Sequence, residues 1–247
     1  MIKAIFFDID GTLVSFKTHR MSENLKEKLH ELQAKGVKLF ISSGRARLVM
    51  NNLDGFPFDG YVAMNGAETT LGSEVIDSHP LPKATSLQVA EFADNVAGIN
   101  HASPQTMEIA EMINLRPPCF LDLRQVAENH TVYEYTIFFD DEQARRLLYP
   151  VLKNVSYTRW HPYFLDIVPE GLSKSYGAAR ILERIGVTRE ECMAFGDGGN
   201  DIPIIEYAGI GVAMGNATDD VKAAADYVTD TVDEDGVVTA LQRFGVL

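Results

Sequence analysis

The chain has 247 residues, 46% of them hydrophobic and 23% charged, which excludes disordered and fibrous classes and allows one large domain or two smaller ones. Its formal net charge of -13 disfavours nucleic-acid backbones and anionic membranes as partners. An anionic substrate would need the field reversed locally, by a metal ion or a few cations.

Residues 2–7 form a short apolar run of the kind that suits a strand buried on both faces of a parallel sheet. The uncharged part, Ala4-Ile5-Phe6-Phe7, is too short for a signal-peptide core, and Asp8 ends it. No other stretch approaches the roughly 18 uncharged residues of a membrane span, so a soluble, cytoplasmic protein is expected. A helix is predicted over 22–35, with Leu25, Leu29 and Leu32 at helical spacing, Ser22 as N-cap and Gly36 as stop. A second strand at 37–42 leads into Ser43-Gly44-Arg45 and a short helix toward Leu53. A third strand at 60–64 precedes Asn65-Gly66, with a hairpin over 67–71 and 74–76. After Pro80 and Pro82 come a helix over 86–96, an unpatterned stretch with Pro117-Pro118, a strand at 132–139, a helix at 142–152 and two strands at 155–160 and 163–168. The strand–helix alternation then resumes: helix 173–185, strand 192–195, a helix to Tyr207, strand 210–213, helix 217–225, strand 227–229 and a closing helix 232–244.

This pattern predicts an α/β protein. A Rossmann-like parallel-sheet core over 1–81 and 169–247 would carry an inserted α/β cap over 82–168. Cys119 and Cys192 are far apart and in no CxxC spacing, so neither a disulfide framework nor a structural zinc site is expected.

Four segments fall at strand-to-helix edges, where an open α/β sheet binds ligands. Asp8-Ile9-Asp10-Gly11-Thr12 places two carboxylates in one turn. One carboxylate can attack phosphorus and another can protonate a leaving oxygen and then activate water. Read alone, the same residues are also an ordinary strand-end turn. Gly196-Asp197-Gly198-Gly199-Asn200-Asp201 reads either as a glycine-rich turn capped by Asn200 or as half of a magnesium site completed by Asp8. Its spacing is not that of an EF-hand. Ser43 with the backbone of Gly44 suits a phosphate oxygen or a plain N-cap. Lys174 at a helix start opposes the helix dipole, which an anionic partner would explain, although most lysines are solvated surface residues.

Together these segments resemble the haloacid dehalogenase (HAD) superfamily, specifically its Cof-like phosphatases with a large α/β cap. The DxDGT motif matches Asp8, Asp10, Gly11 and Thr12. The Ser after the second strand matches Ser43, G-[VL]-S-K matches Gly171 to Lys174, GDGxND matches Gly196 to Asp201, and Asn65-Gly66 matches the pair after the third strand. The resemblance implies a nucleophile and metal ligand in Asp8, and an acid/base in Asp10 that also gives the metal its backbone carbonyl. It implies a second metal carboxylate in Asp197, supported by Asp201. Ile9, Ser43, Gly44, Arg45, Asn65, Lys174 and Asn200 would bind the phosphoryl group or the substrate, and Lys174 would also be catalytic, cancelling charge on Asp8 and the phosphate together with the metal. Mg²⁺ is the implied cofactor and a small phosphate ester, a sugar phosphate foremost, the implied substrate. The alternatives left open are a phosphosugar mutase and a non-catalytic binding protein. Arg45 is expected on substrate or on an acidic neighbour such as Asp59; Trp160, His161 and Tyr163 could face a sugar ring or simply pack; Glu108 and Arg116 carry no pattern.

Overall fold

The computed structural model describes residues 1–93 and 122–247. They form two compact units, Met1–Ser78 with Leu172–Leu247, and His79–Gly171. Glu108, Arg116, Pro117, Pro118 and Cys119, with the end of the helix expected to reach residue 96, lie outside the described residues.

The first unit is built on β1 (Ala4–Phe7), β2 (Lys38–Ser42), β3 (Gly60–Ala63), β4 (Glu68–Leu71), β5 (Glu74–Ser78) and, after the second unit, β9 (Cys192–Gly196), β10 (Ile210–Ala213) and β11 (Tyr227–Val228). Their order is β11-β10-β9-β1-β2-β3-β4-β5. Pairing is parallel from β11 through β3 and antiparallel across β3, β4 and β5. Alternate side chains of each strand enter opposite layers, as the pleat requires. Ile5, Phe7, Leu39, Ile41, Met193 and Phe195 pack under helices Glu23–Ala34 and Gly236–Arg243. Ala4, Phe6, Phe40, Cys192 and Ala194 pack under helices Lys174–Ile185 and Ile202–Tyr207. Each large apolar side chain so buried contributes roughly 1.5–3 kcal/mol. Burial on both faces is why these strands read as unbroken apolar runs. Ser22 and Ser173 cap their helices by accepting the backbone N–H of Leu25 and Tyr176. Successive strands leave β1 in opposite directions, β2 on one side and β9 on the other, so the carboxyl end of β1 lies at the switch point of the sheet.

The helix expected after Ser43 does not form; only a single 3-10 turn, Arg47–Val49, appears there. Ser43 Oγ accepts the Arg45 backbone N–H at 3.2 Å, a local bond that competes with the helical one.

The second unit has an antiparallel sheet, β6 (Tyr135–Ile137), β8 (Phe164–Pro169) and β7 (Val155–His161), in the order β6-β8-β7. Its core joins Val89 and Phe92 of helix Lys83–Phe92 to Phe139, Leu148, Leu165 and Ile167. Two expectations need correction. The strand expected over 132–139 is only Tyr135–Ile137, which among the described residues pairs with β8 alone. The helix expected over 142–152 is an α-turn, Asp141–Gln143, that widens into a π-turn, Ala144–Leu148, with Pro150 following. A proline in that place cannot donate the next helical bond. Helix Leu123–Asn129, capped by Asp122, has no counterpart among the predicted elements.

Candidate active site

Because six neighbouring strands run parallel, their carboxyl ends meet along one edge of the sheet. Asp8 follows β1, Ser43 follows β2, Asn65 follows β3, Asp197 follows β9 and Gly215-Asn216 follows β10. The strands thus bring into hydrogen-bond contact residues as much as 205 positions apart.

Lys174 stands in the middle of this edge. It is wholly buried, and its Nζ donates to Asp8 Oδ1 at 2.7 Å and to Asp201 Oδ1 at 2.5 Å. Burial works against its charge, but the carboxylates of Asp201 and Asp8 outweigh burial and hold its pKa above the usual lysine range. Asp201 Oδ2 accepts the backbone N–H groups of Asp197 and Gly198 at 3.1 and 3.0 Å. Asp201 therefore spends both oxygens on the lysine and on the shape of the loop. Carboxylate oxygens of Asp8, Asp197 and Asp201 all lie within 4.8 Å of one another.

Asp197 accepts from Thr12 Oγ1 at 3.1 Å and from Asn216 Nδ2 at 3.3 Å, one donor on each oxygen. Gly11, at φ +84, lets the turn come this close; a Cβ there would sit 2.2 Å from Asp197 Oδ2. Burial, and then the charges of Asp8 and Asp201, push the Asp197 pKa well above the ordinary carboxylate value. Burial likewise pushes Asp201 up to about 6, against the pull of Lys174.

Asp10 is gripped by Arg45, whose Nε and Nη2 donate to its two oxygens at 2.5 and 2.8 Å; Asn52 Nδ2 adds a contact at 3.4 Å. Burial raises the Asp10 pKa and Arg45 opposes it. Asp59 is not Arg45's partner here. Its carboxylate takes Lys38 Nζ at 2.8 Å and the Leu39 backbone N–H at 2.9 Å.

Asn200 Nδ2 donates to Asn65 Oδ1 at 3.1 Å, and the Asn65 backbone N–H donates to the Ser43 carbonyl at 3.1 Å. Asn65 is buried at φ 52, a left-handed conformation that asparagine tolerates better than most residues. The Ile9 side chain belongs to the apolar core, and its carbonyl accepts from Leu13 and Val14, so only its backbone belongs to the turn. Ser43, Gly44 and Arg45 form the loop between β2 and the 3-10 turn.

Thr12, Asn52 and Asn216 also join the site, although the sequence implies no role for them. Thr12 stood inside the DxDGT motif, and Asn216 follows β10, so the strand-end rule applied to that strand would have flagged it. No sequence signal marks Asn52.

In the second unit, Trp160 and His161 pack on Phe164 with ring centroids 4.6 and 5.3 Å away. Tyr163 is 54% exposed. Arg159 Nη1 ties the hairpin end together by donating to the carbonyls of Phe139, Pro162 and Phe164 at 2.9, 2.9 and 3.0 Å.

Four carboxylates, Asp8, Asp10, Asp197 and Asp201, thus face two cations, Lys174 and Arg45, among the described residues. The imbalance is the charge of one divalent cation. The ligand atoms on offer are hard oxygens, which suit Mg²⁺.

Comparison with known proteins identifies the family. The sequence profile of the haloacid dehalogenase-like hydrolases matches residues 5–241. The chain is 32% identical over 258 residues to the putative phosphatase YkrA of Bacillus subtilis (strain 168), covering 99% of this chain and 98% of that one. It is similar to the solved structure of the HAD subclass IIB sugar phosphatase BT4131, with a TM-score of 0.91, 37% identity and coverage of 99% and 100%. A second solved structure, from work on a trigonal-bipyramidal intermediate in a phosphoryl-transfer superfamily, gives a TM-score of 0.92 and 38% identity over the whole of both chains.

Proposed function

The chain belongs to the haloacid dehalogenase-like hydrolases and is a phosphatase, and from that premise we propose that it hydrolyses small phosphorylated metabolites, sugar phosphates foremost, with Mg²⁺ and through an aspartyl-phosphate on Asp8. The observation that carries this reading is the buried Lys174, ion-paired to Asp8 at the strand edge where three carboxylates converge. A buried ammonium at that place lowers the cost of bringing a dianionic phosphate against an anionic nucleophile.

In the proposed reaction an Asp8 carboxylate oxygen attacks phosphorus. The bond from phosphorus to the ester oxygen breaks, and Asp10 gives that oxygen its proton. Asp10 then takes a proton from water as the water oxygen attacks the aspartyl-phosphate. The acyl–phosphate linkage breaks at phosphorus, returning Asp8 as a carboxylate and releasing inorganic phosphate. Ser43, the backbone of Ile9 and Gly44, Lys174 and Asn200 orient the phosphoryl oxygens, with Asn65 steadying Asn200 through their 3.1 Å bond. Arg45 belongs to the same pocket and in this structure holds Asp10. Asp8, the Asp10 carbonyl and Asp197 would hold Mg²⁺, with Asp201 shaping the loop around it. When bound, the ion would supply the positive charge that the four carboxylates lack.

Substrate selection is assigned to residues 82–168, read as a cap. Of its three candidate aromatics, Tyr163 is the one left exposed to meet a sugar ring. A sugar-phosphate preference is supported by the similarity to a sugar phosphatase. A soluble, cytoplasmic enzyme fits this role; no helix among the described residues is long and apolar enough to cross a membrane.

The test is phosphate release from a panel of sugar phosphates by the purified chain and by Asp8→Asn, with Mg²⁺ present. The substitution is expected to abolish turnover while leaving circular dichroism unchanged. Robust activity in folded Asp8→Asn would reject the nucleophile.

A further inference from the structure

We infer that Asn216 is a positioning residue, one that sets the Asp197 carboxylate and the Asp8–Asp10 turn at the separation a divalent cation needs. The inference rests on the metal assignment proposed above and extends it to a residue outside the family motifs quoted for this chain.

Asn216 lies on the loop after β10, exposed to solvent, so packing does not account for it. Its amide nevertheless makes three bonds to three separate chain segments. Oδ1 accepts the Val232 backbone N–H at 2.9 Å. Nδ2 donates to the Gly11 carbonyl at 2.8 Å and to Asp197 Oδ2 at 3.3 Å. The first bond fixes which end of the amide is which, because only the oxygen can accept from an N–H. The NH₂ must then face the other two partners, and both are acceptors. An amide is suited to this: one hydrogen goes to each.

Gly11 belongs to the turn that carries Asp8 and Asp10, whereas Asp197 comes from the loop after β9. Asn216 is therefore a clamp across the two strand ends that would share a metal ion. It acts alongside Thr12, which is buried and holds the other Asp197 oxygen. Between them the carboxylate cannot turn about its axis without breaking a bond. A carboxylate fixed by donors on both oxygens keeps its remaining lone pairs aimed, and this is how residues behind a metal's ligands raise affinity. Asp197 also needs such restraint, because the nearby Asp8 and Asp201 carboxylates repel it.

The measurement is calorimetric titration of Mg²⁺ into the full chain and into Asn216→Ala, both without substrate. The variant is expected to bind Mg²⁺ about 10- to 100-fold more weakly. Its kcat should return toward the parent's as Mg²⁺ is raised, with the substrate KM at saturating Mg²⁺ unchanged. A purely structural brace would instead lower the thermal midpoint in chelator and leave Mg²⁺ affinity as it was; that result in a folded variant overturns the inference. If Asn216→Ala does not fold, Asn216→Ser takes its place, since its hydroxyl is one bond too short to span both acceptors; the same weakening is expected, and parental affinity overturns the role. A parent chain that itself binds no Mg²⁺ would overturn this inference together with the metal assignment, whereas a parent that binds and a variant that binds equally well would overturn this inference alone.

Discussion

Lys174 is the residue whose surroundings most constrain its neighbours. With no exposure to water, its charge depends on Asp8 and Asp201, and removing one member of such a buried pair typically costs about 3–5 kcal/mol. Its place at the start of a helix was visible in the sequence, but there it could equally have been a solvated surface lysine. Burial, which only the packed sheet supplies, separates the two. Cys192 shows the same dependence. It is a plain strand residue in the sequence, yet it lies in the core of β9, and burial pushes its thiol up to about 11. At pH 8 only about one thiol in a thousand would then be ionised, and the thiolate is the reactive form. Iodoacetamide at pH 8 should leave Cys192 unmodified in the native protein and alkylate it in urea, as read by peptide mass mapping. Fast native alkylation at that position would contradict its burial.

Among the elements, helix Lys174–Ile185 does the most to build the site, because its first residue is Lys174 and its third turn reaches the core. It can lie close to the sheet because Gly177 has no side chain: a Cβ there would meet Val62 Cγ1 at 2.5 Å and Thr69 Oγ1 at 2.8 Å. Gly177→Ala is thus expected to destabilise the protein by about 1–3 kcal/mol through overpacking, despite alanine's better helix propensity. Lys174 is one helical turn away, so kcat should fall as well. Urea unfolding and phosphate release check the two effects; a more stable, fully active variant would show that the helix can shift at little cost. The sequence located this helix well because its cap, apolar face and terminal Gly186 all agree, and the left-handed Gly186 ends it. It was less informative for the turns over 141–148 and for β6. Their form depends on a proline's missing donor and on the pairing of β6 with β8, which periodicity does not carry.

For the whole molecule, the net charge of -13 and the cluster of carboxylates would make Mg²⁺, held as proposed above, and protons competitors for the same groups. Asp10, Asp197 and Asp201 all have folded pKa values raised above 3.8, Asp201 to about 6. These three groups therefore hold more protons in the folded state than in the unfolded chain, Asp201 over roughly pH 4 to 6. Their contribution to stability is present below the unfolded value and is lost as pH rises through the folded one. In chelator the site should accordingly destabilise the protein more at pH 8 than at pH 5. Mg²⁺ at a hundred times its pH 8 Kd would add about 2.7 kcal/mol there, and the same Mg²⁺ concentration should raise the thermal midpoint less at pH 5, where more protons have to be displaced. An equal rise at both values would mean that the carboxylates do not titrate with the metal. The order of the parallel strands' segments and of the helices Glu23–Ala34 and Lys174–Ile185, and the placing of polar, ionisable residues at the strand ends, were determined by the sequence alone, because runs buried on both faces and helix caps are local signals. The partners were decided only by the tertiary structure: Arg45 on Asp10, Asn200 on Asn65, and Asn216 across Gly11 and Asp197. A hydrogen bond depends on tenths of an ångström between segments as much as 205 residues apart, and that distance exists only once the sheet has brought its strand ends together.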